Sequence, residues 1–136
     1  MILVDTSAWV EYDRATGSAI DLRLTQLITD EGRIAVTQPV IMEVVAGARS
    51  RPRANELKRL LARCELLPFD AAVDFDAAAR IYLSCRAAGI TPRGMVDCMI
   101  ASVAHRHSAT LLAIDIDLSR VASVMGIEMD DANPRS

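Results

Sequence analysis

The chain opens Met1-Ile2-Leu3-Val4-Asp5-Thr6-Ser7-Ala8-Trp9, an apolar run that ends on a carboxylate and two hydroxyls. Three consecutive aliphatic residues without polar alternation read as a strand buried on both faces. Asp5 then has two readings. Its oxygen caps the helix that follows by accepting from a free backbone N–H, or it serves a site at the end of the strand. The choice depends on where the chain places its other carboxylates.

The same buried-strand signal returns along the chain. RIAV at 33–36 is a second strand, CELLPF at 64–69 a third, TLLAI at 110–114 a fourth and IEM at 127–129 a last one. Between them helices are predicted at 7–13 and about 18–30, from Pro39 to Gly47, at about 53–63, at 71–88, at about 95–107 and at 117–125. Pro39 suits a first helical turn and Gly47 a helix end. Ala72, Phe75, Ala79, Tyr82 and Leu83 recur at helical spacing through 71–88. Continuously apolar strands alternating with helices predict an α/β fold, a parallel sheet covered on both faces. Sites in such sheets lie outside the carboxyl ends of the strands.

At 136 residues the chain has the length of one domain with a sizeable core, and no linker or repeat divides it. Aromatics make up only 4% of it, so that core is aliphatic and alanine-rich. No apolar run approaches the roughly 20 residues of a membrane helix, and no secretory leader is visible. Cys64, Cys85 and Cys98 are scattered, odd in number and without a C-x-x-C pair. Reduced thiols in a cytosolic protein account for them.

The net charge of −3 speaks against a polyanionic partner, but the arrangement of charge does not. Of the 15 basic residues 14 are arginine, the side chain suited to forked phosphate contacts. Arg49, Arg51, Arg53, Lys58, Arg59 and Arg63 share one stretch with a single acid, Glu56. That stretch is either a solvated surface or a nucleic-acid contact, with Arg49, Arg51 and Arg53 as the candidate contacts.

Four carboxylates stand in apolar settings. Asp5 follows the first strand, and Asp115 follows TLLAI, with Asp117 two residues on. Glu43 sits in PVIMEVVAG, a helix expected to be buried all round, where a glutamate needs a partner or a metal unless it snorkels to the surface. Asp97 lies in GMVDCMIASVA, in a first turn where the helix dipole favours an anion. Ala101 and Ala104 on that helix permit close packing against the sheet. Gathered together, four carboxylates repel unless a counter-charge joins them. A hard cation bound through oxygens, Mg²⁺ or Mn²⁺, suits this set, which lacks the cysteines and histidines of a zinc site. His105 and His107 share a helix end, where capping or solvation is their expected role. Carboxylates around such a cation, without an activated serine, cysteine or histidine, suit phosphodiester hydrolysis, because a bound water is acidified and developing charge neutralised.

These residues carry a resemblance that spans essentially the whole chain. DTSAWVEY, PVIMEVVAG, VDCMIASVA and LLAIDIDL, in that order, resemble the PIN-domain ribonucleases, specifically the VapC-type toxins of bacterial toxin–antitoxin pairs. The resemblance implies one PIN domain over 1–136, a three-layer α/β/α sandwich around a parallel sheet. It implies Asp5, Glu43, Asp97 and Asp115 as the catalytic, metal-holding acids, Asp117 as a further acid of the metal site, and Thr6 and Ser7 as hydroxyls supporting the first aspartate. It further implies a metal-dependent endoribonuclease that leaves a 5′-phosphate and a 3′-hydroxyl, with structured RNA such as tRNA as substrate. A small VapB-type antitoxin and a homodimer complete the implied partners. Trp9 and Tyr12 offer an apolar contact for that antitoxin, with core packing the competing role of Trp9.

The chain departs from the family pattern in two places. Ala113 stands where a hydroxyl is frequent, and Leu118 where phenylalanine is common. Other folds with a strand-end aspartate fit less well. A receiver domain wants a late lysine where only Lys58 exists, a haloacid-type phosphatase wants an aspartate at Ser7, and Trp9 breaks the D-x-S-x-S of a metal-dependent adhesion module. The alternative of a different class is a nuclease-inactive PIN-like module that binds RNA or regulates.

Overall fold

Strand β1 (Ile2–Val4) is the axis of the molecule. It pairs in parallel with β2 (Ile34–Val36) on one side and β4 (Thr110–Leu112) on the other. Strand β3 (Glu65–Leu66) adds to β2, giving the order β3-β2-β1-β4. Leu3, Val4, Ala35, Val36, Leu111 and Leu112 are all buried, as strands covered on both faces must be. The computed structural model describes residues 1–134; Arg135 and Ser136, part of the single domain expected over 1–136, lie outside the described residues.

Helices α1 (Thr6–Arg14), α2 (Ala19–Thr29), α3 (Gln38–Ala46) and α4 (Arg51–Ala62) form one packed set, α1 touching α2 and α3, and α3 touching α4. Helices α5 (Asp74–Ala87), α6 (Met95–Arg106) and α7 (Ile116–Met125) form the other. With the parallel sheet they make the expected three-layer α/β/α sandwich. Ala101 and Ala104 are completely buried, and α6 also reaches across to α3.

Strand order places the site. The chain runs outward from β1 to β2 and β3, then returns to β4 on the opposite side of β1. The order therefore reverses between β1 and β4, and a crevice opens outside their carboxyl ends. Asp5 follows the one strand and Asp115 the other. A bond from Asp5 N to Leu112 O (2.9 Å) carries the pairing to the edge of that crevice.

Three expectations need correction. The segment 127–129 is no strand; one bridge joins Leu111 to Met129. The edge of β4 is completed instead by Asn133, whose Oδ1 accepts from Ala113 N (3.0 Å) and whose Nδ2 donates to Leu111 O (3.0 Å). Helix α4 starts two residues earlier than expected, because Ser50 Oγ accepts from Arg53 N and Pro52 fits its first turn. Helix α5 begins at Asp74, and it buries Ala78, Ile81 and Cys85 while leaving Phe75 and Leu83 on the surface.

Candidate active site

At Asp5 the two sequence readings coincide. Asp5 is the N-cap of α1, its Oδ2 accepting from Ser7 N (3.1 Å) and from Ser7 Oγ (2.6 Å). The same Ser7 hydroxyl accepts from Ile114 N (3.1 Å), so it ties the end of β1 to the segment that delivers Asp115. Asp5 is buried, and that burial raises its pKa against the lowering effect of the Ser7 hydrogen bonds, with Glu43 adding to the rise.

Glu43 corrects the expectation of a helix buried all round. Helix α3 lays Pro39, Val40 and Val44 on the core and turns Met42 to solvent, 56% exposed. A helix on the outside of a sheet needs only one apolar stripe. Glu43 is half-buried and accepts a 2.7 Å hydrogen bond from Thr6 Oγ1. The two hydroxyls after β1 thus divide: Ser7 holds Asp5, and Thr6, expected beside the first aspartate, holds Glu43.

Asp97 sits in the first turn of α6. Its pKa is pushed up to about 7, first by burial and then by the negative charges of Asp115, Asp5 and Glu43, with Arg93 opposing. Charges act at that strength only over short distances. Four acids from four separate segments therefore bear on one point, where α3 meets α6 at the carboxyl edge of β1 and β4.

Asp115 caps α7 through Asp117 N (2.9 Å). Both of its oxygens also accept from Arg93 Nη2 at 3.1 Å, and Arg93 Nε lies 2.5 Å from Asp117 Oδ2. Sequence reading missed Arg93. Its signal was a lone basic residue in Thr91-Pro92-Arg93-Gly94, directly before the helix that begins with Asp97. Among the described residues no three His, Cys, Asp or Glu side chains are drawn tightly enough to close around an ion. The donors are oxygens alone, and among the described residues the Thr37 hydroxyl, at the end of β2, is buried without a hydrogen-bond partner. Such a set fits Mg²⁺ or Mn²⁺ and not zinc.

His105 and His107 are exposed at the far end of α6, with His105 about 12 Å along the axis from Asp97. Arg49 lines a small cleft with Trp9, Asp13 and Glu43, and Arg51 is exposed at the start of α4. Arg53 differs: it pairs with Asp13 and with Glu56, the latter at 2.8 Å, and so fastens α4 to α1. Leu118, in place of the family's phenylalanine, is fully buried, and Ala113 is held by Asn133.

A fold with its switch point ringed by carboxylates defines the class. Residues 2–124 match the model of the PIN domain, and the chain belongs to the PIN-domain family. It is 43% identical over 129 residues to Ribonuclease VapC11 of Mycobacterium tuberculosis, an alignment covering 94% of this chain and 96% of that one. In structure it is similar to VapBC2 of Rickettsia felis, solved bound to a DNA fragment from their promoter (TM-score 0.73, 21% identity, 96% of this chain and 98% of that one). It is also similar to VapC20 of M. tuberculosis, a sarcin–ricin loop cleaving toxin (TM-score 0.62, 20% identity, 88% and 93%). At such identities the two structural likenesses speak for the fold alone.

Proposed function

We propose that the protein is a divalent-cation-dependent endoribonuclease of structured RNA, a toxin restrained by a small VapB-type antitoxin. The carrying observation is Asp97, whose carboxyl is raised to about 7 by burial and by three other acids delivered by β1, α3 and the end of β4. The 43% identical relative named a ribonuclease supports the reading of that cluster.

Asp5, Glu43, Asp97 and Asp115 would hold Mg²⁺ or Mn²⁺, with Asp117 at the rim. When bound, the cation supplies an acidified water and neutralises charge developing at phosphorus. The chain's own groups do the rest. Ser7 and Thr6 fix the orientation of Asp5 and Glu43, as supporting hydrogen bonds do for ligands generally. Asp97 would give up its proton in order to hold the cation. Arg49 and Arg51 supply phosphate contacts along the backbone, whereas Arg53 is committed to Asp13 and Glu56.

Structured RNA is the substrate class that the sequence resemblance implies, and tRNA is the first substrate to test. Restraint by an antitoxin fits a recess of about 260 Å³ in which Leu27, Ile28, Ile34 and Leu60 are flanked by the charged Glu31 and Arg63. Trp9 is 1% exposed and packs in the core, where Tyr12 meets it edge-on at 6.0 Å. A homodimer belongs to the same proposal: Phe75 and Leu83 on α5 are an exposed apolar pair that a second copy would cover. The expected setting is the cytoplasm. Cys64, Cys85 and Cys98 are free thiols, and among the described residues no helix is long and apolar enough to cross a membrane.

Sequencing of RNA ends after induced expression tests this function. New 5′-phosphate ends in structured RNAs, absent with Asp97→Asn, support it. Intact RNA with bound transcripts would favour the nuclease-inactive, RNA-binding module.

A further inference from the structure

While Arg120 stands 3.8 Å from Asp117, Arg93 is the cation that touches Asp115 among the described residues. Its Nη2 lies 3.1 Å from both oxygens of Asp115, its Nε lies 2.5 Å from Asp117, and its charge opposes the rise of the Asp97 pKa. Yet the side chain is 71% exposed. Its backbone is better held, between the buried Pro92 and Gly94, the N-cap of α6. Arg93 thus carries an exposed guanidinium beside Asp115 and Asp117, on backbone adjoining the buried Pro92.

That placement has a consequence for filling the site. A guanidinium on both oxygens of Asp115 occupies the carboxylate that a divalent cation needs. Two cations cannot share those lone pairs at close range without repelling. We propose that Arg93 is the site's internal counter-ion before a divalent cation enters, and that, displaced by it, it becomes a phosphate-positioning residue for the RNA. On release the fork stands beside the point where a scissile phosphate meets the acids, with a geometry matched to two phosphate oxygens. The inference rests on the proposed cation-dependent function. It extends it by naming the group that the cation must displace.

The test uses the full chain with Arg93→Met and Arg93→Lys, in two titrations that involve no cleavage. In the first, Mn²⁺ alone is titrated by calorimetry. Removing a partly exposed competing pair should tighten Mn²⁺ binding in Arg93→Met by about threefold. In the second, adenosine 5′-monophosphate is added to Mn²⁺-loaded protein and to protein in EDTA. Arg93→Met should weaken nucleotide binding about tenfold with Mn²⁺ and leave it unchanged in EDTA, with Arg93→Lys intermediate because it offers a point charge and no fork. Unchanged or weaker Mn²⁺ binding in Arg93→Met would overturn the counter-ion role. Equal nucleotide binding by wild type and Arg93→Met in Mn²⁺ would overturn the phosphate role. Failure of the wild type to bind Mn²⁺ at all would instead count against the cation-dependent function itself.

Discussion

Asp97 shows at the residue scale how function sets itself against stability. Its carboxyl is raised from an ordinary 3.8 to about 7 by burial and by Asp115, Asp5 and Glu43. A folded-state value above the unfolded one contributes stability that is complete at low pH and is lost as pH rises through the folded value. The cation-free protein should therefore lose melting temperature between about pH 4 and pH 7 on account of this group. Asp97→Asn keeps the shape and removes the charge. In EDTA at pH 7.5 it should melt about 5 °C higher than wild type, with a flatter pH profile. A large drop in melting temperature would make Asp97 a structural cap and not a member of the site. Arg93 teaches the reverse lesson about legibility. An exposed arginine in a loop has no periodicity to mark it, so only the fold reveals that it lies on Asp115.

At the scale of elements, sequence reading found the strands and helices and missed which faces they bury. The apolar spacing in α5 is genuine, yet Phe75 and Leu83 point outward, because the helix is turned by a polar anchor. Asp74 is fully buried and accepts from Ser102 Oγ (2.6 Å) and from Arg106 Nη2 (2.6 Å), while Asp70 N donates to its Oδ2 at 2.7 Å. Burial works against this charge, but the Arg106 and Ser102 bonds outweigh it and hold the carboxyl below its usual range. Periodicity counts apolar residues, and a buried ion pair is invisible to it. Arg106→Met leaves that buried carboxylate without its counter-charge, held only by Ser102 and Asp70 N. With Arg106 itself partly exposed, the change should cost about 2 kcal/mol in urea unfolding. Stability from Asp74 is present above the ordinary carboxylate range and is lost as pH falls through its lowered value. The variant should therefore also unfold at a higher pH during acid titration. The basic stretch of α4 divides in the same way. Arg51→Glu should weaken RNA binding and reduce its salt slope by about one. Arg53→Glu should loosen α4 from α1 and show itself chiefly in the melting temperature.

Across the whole molecule, the parallel sheet was legible because its central strands are aliphatic runs, ILV in β1, IAV in β2 and Leu111-Leu112 in β4. Residues 127–129 were misread because a short apolar triplet looks the same whether it forms a strand or one bridge completed by Asn133. The gathering of the acids was legible in outline, since strand ends in a parallel sheet share one edge. The contact of Arg93 with Asp115 was not, because that arginine is distant in sequence from three of the four acids. The account's central claim is that these acids hold a divalent cation for RNA hydrolysis. Its most direct measurement is cleavage of a defined tRNA by purified protein with Mg²⁺, with Mn²⁺ and with EDTA, the ends mapped in each case. The account predicts 5′-phosphate ends with either cation, none in EDTA, and recovery when Mn²⁺ is restored in excess. Cleavage undiminished by EDTA would contradict it.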